Sequence, residues 1–210
     1  MNGFDFNKIE DFDKHINLSI PHYDELQKQI INISQYFIDE HSSVYDIGCS
    51  TGSLLKKLPF KEKVSYIGID KSNLIPDTHE YIKFIKDDIF NINITDASLI
   101  LSIFTLQFLS HKERANTLRK IKEGLNHGGC FIVAEKIYAS SPKVQDIINS
   151  FYYQYKEEHF EVSEILKKEQ QLRTALRINT SDKLIKECLA IGKVDIFWKN
   201  YNFICLLVTK

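Results

Sequence analysis

The run Val44-Tyr-Asp-Ile-Gly-Cys-Ser-Thr-Gly-Ser53 holds the densest chemistry in the chain: a β-rich stretch passes Asp46 and enters a helix through a turn containing Gly48 and Gly52. Glycine at a strand exit lets a ligand lie against bare backbone, and the helix start behind it supplies outward-facing N–H groups. A dinucleotide fingerprint spaces its glycines G-x-G-x-x-G so that a pyrophosphate can sit on the helix N-terminus. Here the spacing is G-x-x-x-G behind a carboxylate. That arrangement suits a ligand with an ammonium group and suits a diphosphate badly.

Two further acids follow at predicted strand ends. Tyr66-Ile-Gly-Ile-Asp70 puts a carboxylate 22 residues after Gly48, where it can accept both hydroxyls of a ribose. Lys86-Asp-Asp-Ile89 ends the next strand with an acid and an apolar residue, a pair able to meet an adenine amino group and pack on its ring. An acid after a strand is, taken singly, most often a turn or cap residue. Three in order, behind a glycine turn, describe a nucleoside site.

Those acids need a sheet to align them. Short β-rich runs alternate with longer amphipathic stretches from about Val44 onward, the pattern of a parallel sheet wound with helices. The predicted strands are Ser43–Ile47, Tyr66–Asp70, Ile82–Lys86, Ala97–Phe104 and Gly129–Glu135. Lys112–Leu125 reads as a helix, with Ala115, Leu118, Ile121 and Leu125 at helical spacing and Gly124 and Gly128 as its stop. Tyr23–Glu40 reads as a helix with one apolar side, and Lys143–Leu176 as a charged helical region holding the aromatics Phe151, Tyr152, Tyr153, Tyr155 and Phe160. Ser181 and Asp182 are set to cap a helix running to Ile191. Val194–Lys199 and Tyr201–Val208 then form an edge hairpin.

Composition narrows the class. A chain of 210 residues, 43% hydrophobic and 26% charged, has enough apolar material for one sizeable core and is short for two domains. Its formal charge of −1 favours a small-molecule acceptor and disfavours direct nucleic-acid docking. Cys49, Cys130, Cys188 and Cys205 show neither C-x-x-C spacing nor disulfide density, which points to the cytoplasm and away from a metal site. The polar, acidic start lacks the build of a secretory signal. The best apolar run, Ala97 to Leu109, is interrupted by Ser102, Thr105 and Gln107 and cannot span a bilayer.

From Val44 to the end, these features resemble a class I S-adenosylmethionine-dependent methyltransferase. The resemblance implies a Rossmann-like α/β fold: a mostly parallel central sheet, a C-terminal antiparallel edge hairpin and an N-terminal helical lid. A single domain, 1–210, would comprise the lid at 1–43 and a helical insert at 143–176. By position, Asp46, Gly48, Cys49, Ser50 and Gly52 would hold the methionine part of the cofactor, Asp70 with Lys71 the ribose, and Asp88 with Ile89 the adenine.

A narrower resemblance, to the carboxy-S-adenosylmethionine synthase family, rests on Ile20-Pro-His-Tyr23, Val44-Tyr-Asp-Ile-Gly-Cys-Ser50, Phe104-Thr-Leu-Gln-Phe-Leu109, Gly124-Leu-Asn-His-Gly-Gly129, Glu135-Lys136 and Tyr201-Asn-Phe203. It implies cofactor contact by Tyr23, and also by Ile103 and Phe104, although the family carries asparagine where this chain has Ile103. That family acts in the pathway modifying wobble uridine in tRNA, takes prephenate as carboxyl donor and grips the new carboxylate with an arginine. Here Glu169 falls at the arginine's position, and a glutamate repels a carboxylate. The first expectation is therefore methyl transfer from S-adenosyl-L-methionine to a small-molecule acceptor. Synthesis of carboxy-S-adenosyl-L-methionine is the second, and a non-catalytic cofactor-sensing regulator the third. A homodimer accompanies the resemblance. No catalytic residue is assigned, but His22 and Tyr23 beside the lid are the first candidates for a base. His15, His41, His79, His111, His127 and His159 read as surface, turn or cap residues. Lys167, Lys168, Arg173, Arg177, Lys183 and Lys186, interleaved with glutamates, read as a solvated helix face.

Overall fold

A computed structural model of the chain describes residues 10–210. The start of the predicted lid, through residue 9, lies outside the described residues. Eight strands form one sheet: β1 (Ser43–Ile47), β2 (Ser65–Asp70), β3 (Ile82–Lys86), β4 (Ala97–Ile103), β5 (Leu125–Tyr138), β6 (Asn179–Thr180), β7 (Lys193–Asn200) and β8 (Phe203–Thr209). Their order is β3-β2-β1-β4-β5-β8-β7, with the two-residue β6 alongside β5. Strands β1 to β5 run parallel, whereas β8 is antiparallel to both β5 and β7. The sheet thus has the predicted parallel body and edge hairpin.

Alternation along the strands divides the core in two. Leu99, Leu101, Cys130, Ile132, Cys205 and Leu207 face one side with Leu26 and Ile30 of α2 (Tyr23–Ser34) and Leu54 and Leu55 of α3 (Ser53–Lys57). Ile100, Phe131, Val133, Ile204 and Leu206 face the other with Ile121 of α4 (His111–Gly124) and Leu184 of α7 (Ser181–Leu189). A side-chain period of two on strands covered on both faces gives these two layers. The remaining helices, α1 (Phe12–Ser19), α5 (Pro142–Glu157) and α6 (Val162–Ala175), gather at the strand ends.

Several boundaries differ from the sequence reading. Helix α2 ends at Ser34 instead of continuing to Glu40: the chain tightens there into a turn in which the Tyr36 and Phe37 N–H groups donate to the Ile33 and Ser34 carbonyls at 3.1 and 3.0 Å. Gly124 is the last residue of α4 and not a flanking stop: a Cβ there would lie 2.3 Å from the Ile94 carbonyl oxygen, so glycine permits close packing. The insert is two helices, because α5 closes at Glu157 and Glu161 opens α6 through a reciprocal cap with Glu164. Thr180, one residue before the expected Ser181, caps α7.

Candidate cofactor cleft

At the carboxyl ends of β1, β2, β4 and β5 lies a cavity of about 670 Å³. It sits where the strand order reverses between β1 and β4, the usual crevice of an open α/β sheet. Eleven of the twelve residues predicted from sequence line it: Tyr23, Asp46, Gly48, Cys49, Ser50, Asp70, Lys71, Asp88, Ile89, Ile103 and Phe104. The exception is Gly52, which takes a left-handed φ of 69° at the start of α3. That helix is only five residues long, so its start contributes little of the N-terminal field expected for it.

The glycine turn is held by β2. Gly48 and Cys49 N–H groups donate to the Ile69 carbonyl at 2.7 and 3.1 Å. Gly48 has a φ of +77°, and a Cβ there would sit 2.1 Å from Thr105 Oγ1; glycine is needed both for the turn and for the loop after β4 to pack on it. Asp70 clamps the turn from beside it, accepting from the Ser50 N–H at 2.8 Å and the Ser72 N–H at 2.7 Å. The Ser50 hydroxyl is buried with no hydrogen-bond partner. Asp46 is 3% exposed, and burial, reinforced by the Asp70 carboxylate, pushes its pKa up to about 7. A ligand ammonium would restore its charge, and the unpaired Ser50 hydroxyl is a second waiting partner.

Asp88 has both a structural and a cavity-facing role. Its carboxylate accepts from the Phe90 N–H at 3.1 Å, capping a short 3₁₀ turn, and pairs with Lys71 at 3.7 Å. Asp87 lines the cavity as well. Opposite, Tyr23 stands 6.1 Å from Phe104, ring centre to ring centre, and Phe104 meets Phe203 at 5.7 Å. Phe104 holds a positive φ of 59°, a costly conformation for an aromatic residue, and it turns the Phe104–Leu109 string into the cleft.

The other half of the cavity is cationic, and sequence reasoning missed it. Lys136 of β5, Lys156 of α5 and Lys168 of α6 all line it. Burial and the lysines' mutual repulsion hold Lys136 near 8 and Lys168 near 7, and burial lowers Lys156 too. Strand alternation explains the Glu135-Lys136 pair: Lys136 turns into the cleft while Glu135 turns to the opposite face. There Glu135 accepts from Arg114 at 2.6 Å, and Arg114 also holds Glu187 at 2.8 Å. The one signal in the sequence was that adjacent acid–base pair at the end of a buried strand.

Other expectations change. The α6 basic residues are not uniformly solvated: Lys168 is half-buried in the cleft, whereas Lys167 is exposed and Arg173 stays exposed at the cleft's edge. Glu169 also lines it and is engaged by the Tyr153 hydroxyl and by Arg173 at 2.8 Å. Burial raises its pKa, but those two partners outweigh it and the net shift is downward. His22 turns outward, 3.8 Å from Glu25. Its relative His15, read as a surface residue, lines the cleft against Lys168 and stays neutral, pushed down to about 4 by burial and by Lys168. Of the aromatic cluster, Tyr152 and Tyr153 face the cavity and Phe151 faces solvent. Helix α1 closes the cleft: Thr51 donates to Asp13 at 2.9 Å on one side, and Tyr152 donates to the Ser19 carbonyl at 2.8 Å on the other.

Among the described residues, no group of three or more His, Cys, Asp or Glu side chains is placed to hold a metal ion, and no helix is long and apolar enough to cross a membrane.

The sheet order, the edge hairpin and the cleft at the switch point define a class I methyltransferase fold. Human N-acetylserotonin methyltransferase, solved with its cofactor, superposes with a TM-score of 0.58 at 14% identity, covering 88% of this chain and 51% of that one. The protein is an S-adenosyl-L-methionine-dependent transferase. No family model matches the chain. A carboxy-S-adenosyl-L-methionine synthase from Staphylococcus epidermidis is 34% identical over 95% of this chain and 92% of its own length. A synthase of the same name from Hamiltonella defensa is 30% identical over 99% of this chain and 88% of its own. The chain therefore belongs to the carboxy-S-adenosyl-L-methionine synthase family.

Proposed function

We propose that the chain makes carboxy-S-adenosyl-L-methionine from S-adenosyl-L-methionine and a carboxylate donor. The observation that carries this reading is the division of one cleft into an acidic half and a lysine-lined half. Asp46 and the Gly48–Ser50 turn take the ammonium-bearing methionine part, Asp70 the ribose and Asp88 with Ile89 the adenine. Tyr23 and Phe104 close over them. When bound, the cofactor supplies a sulfonium whose methyl group is acidic enough to lose a proton and gain a carboxyl. Prephenate, the donor implied by the resemblance, releases its ring carboxyl and ring hydroxide on becoming aromatic. The hydroxide leaves as water with the methyl proton, and the carboxyl ends on the methyl carbon.

The chain's own part is to bind, orient and exclude water. Helix α1 covers the cleft, and the lysines offset the negative charge of the donor and of the new carboxylate. Methyl transfer to a small acceptor is the competing reading, favoured by Ile103 and Glu169 at positions where the family carries asparagine and arginine. Incubating the protein with S-adenosyl-L-methionine and prephenate, followed by mass spectrometry, separates them. Carboxylated cofactor and phenylpyruvate are expected; S-adenosylhomocysteine with a methylated acceptor would replace this reading by the other. Cofactor binding with no turnover would favour a regulator. The reading carries with it a homodimer, checked by light scattering, and a supply role in tRNA wobble-uridine modification, checked by nucleoside analysis of a deletion strain.

A further inference from the structure

We infer that Lys136, Lys156 and Lys168 form the carboxylate-binding site of this cleft, supplying the charge that the family resemblance assigns to an arginine at position 169. This deepens the proposed synthase reading and rests on it. Position 169 is a poor carboxylate holder here, since it is itself a carboxylate, held by Tyr153 and Arg173 and close enough to Lys136 and Lys156 to offset part of their charge. The positive charge comes instead from three separate elements, β5, α5 and α6, that converge on Tyr152 and Ser19.

Tyr152 is the organiser. Its hydroxyl is fixed on the Ser19 carbonyl, and its ring holds the Lys136 and Lys156 ammonium groups 5.0 and 4.7 Å from its centre. The electron-rich ring face positions both cations without neutralising either. The Lys136 backbone N–H donates to Gln107 Oε1 at 2.8 Å, which sets how far β5 reaches into the cleft. Lys168 approaches from the other side, donating to Ser19 Oγ at 2.9 Å and meeting the neutral ring of His15. Lys156 and Lys168, with His15 and Ser19, also border a second cavity of about 300 Å³. The seam between the two spaces is thus lined by ammonium groups. Like charges held together in a partly buried site are relieved by an anion, and a donor with two carboxylates can engage the Lys136–Lys156 pair and Lys168 at once.

Titration calorimetry of the intact protein with S-adenosyl-L-methionine and with carboxy-S-adenosyl-L-methionine tests this on wild type, Lys136→Met, Lys156→Met and Lys136→Arg. Wild type is expected to prefer the carboxylated cofactor by about tenfold or more, the worth of a hydrogen bond to a charged group. Either methionine variant should lose most of that preference, with affinity for S-adenosyl-L-methionine as the internal check on folding; Lys136→Arg should keep it. The two lysines lie on different elements, so the variants test the site independently. A wild-type preference that survives both methionine substitutions overturns the lysine assignment while leaving the synthase reading intact. A wild type with no preference, and with no carboxylated product from prephenate, overturns the reading and the assignment together.

Discussion

The two halves of the cleft are built on opposite principles. In the acidic half, the carboxylates sit at consecutive strand ends and are tied into the backbone: Asp70 takes two N–H groups and Asp88 caps a turn. In the lysine half, the charges come from β5, α5 and α6, repel one another and rest on two rings, Lys136 and Lys156 on Tyr152 and Lys168 on Phe160. One half is prepared by local hydrogen bonds for a ligand with an ammonium group and hydroxyls. The other gathers three lysines whose mutual repulsion is offset in part by Glu169, and on the proposed reading it takes an anion. The contrast shows how a chain with a formal charge of −1 can set an acidic and a basic wall in a single cavity.

The largest effect should come from the support beneath the lysine half. Arg114→Met leaves Glu135 buried beside an apolar partner, and loss of one member of a buried pair costs about 3–5 kcal/mol. Urea unfolding measures it, and an unchanged midpoint would mean that the ion pair does not brace β5. On the acidic side, Asp70→Ala is expected to weaken S-adenosyl-L-methionine binding roughly tenfold or more, because a carboxylate hydrogen bond is worth about 1.5–3 kcal/mol. Unchanged affinity by calorimetry would remove Asp70 from the ribose assignment.

A pH series sharpens the comparison further. Asp46, raised to about 7, must be ionised to meet the ligand ammonium. Affinity should therefore rise with pH, about tenfold between pH 6 and pH 8, as one proton is no longer displaced on binding. Asp46→Asn should bind weakly and show a flat profile over that range; a retained slope would assign the proton to another group. The smallest effect is expected at Glu169. Its charge is already balanced by Arg173 and it is partly solvated, so Glu169→Arg should increase relative affinity for the carboxylated cofactor by only about threefold. A change as large as that in the lysine variants would return the main carboxylate contact to position 169.

Much of the acidic half was legible before any coordinates because its information is local. A β-run, an acid and a glycine turn recur within a few residues, and a parallel sheet brings successive strand ends together. Gly52 alone of the twelve lies outside the cavity lining, and its left-handed φ serves the turn. The lysine half was not legible for the complementary reason. Lys168 sits among glutamates and lysines whose one-dimensional pattern is that of a solvated helix, and His15 had no neighbour in sequence to mark it. Only the packing of α1 against α6 made His15 a partner of Lys168.

By itself the sequence determined the α/β order and the three strand-end acids, since each depends on residue type and short-range spacing; the departure at position 169 came from the family resemblance. The tertiary structure alone decided that the Tyr153 hydroxyl engages Glu169, that Glu135 meets Arg114 on the face opposite the cleft, and that Lys136 and Lys156 share the Tyr152 ring while Lys168 lies over Phe160. Charge interactions act through space and change with burial, so their partners are set by how the elements pack and not by their distance along the chain.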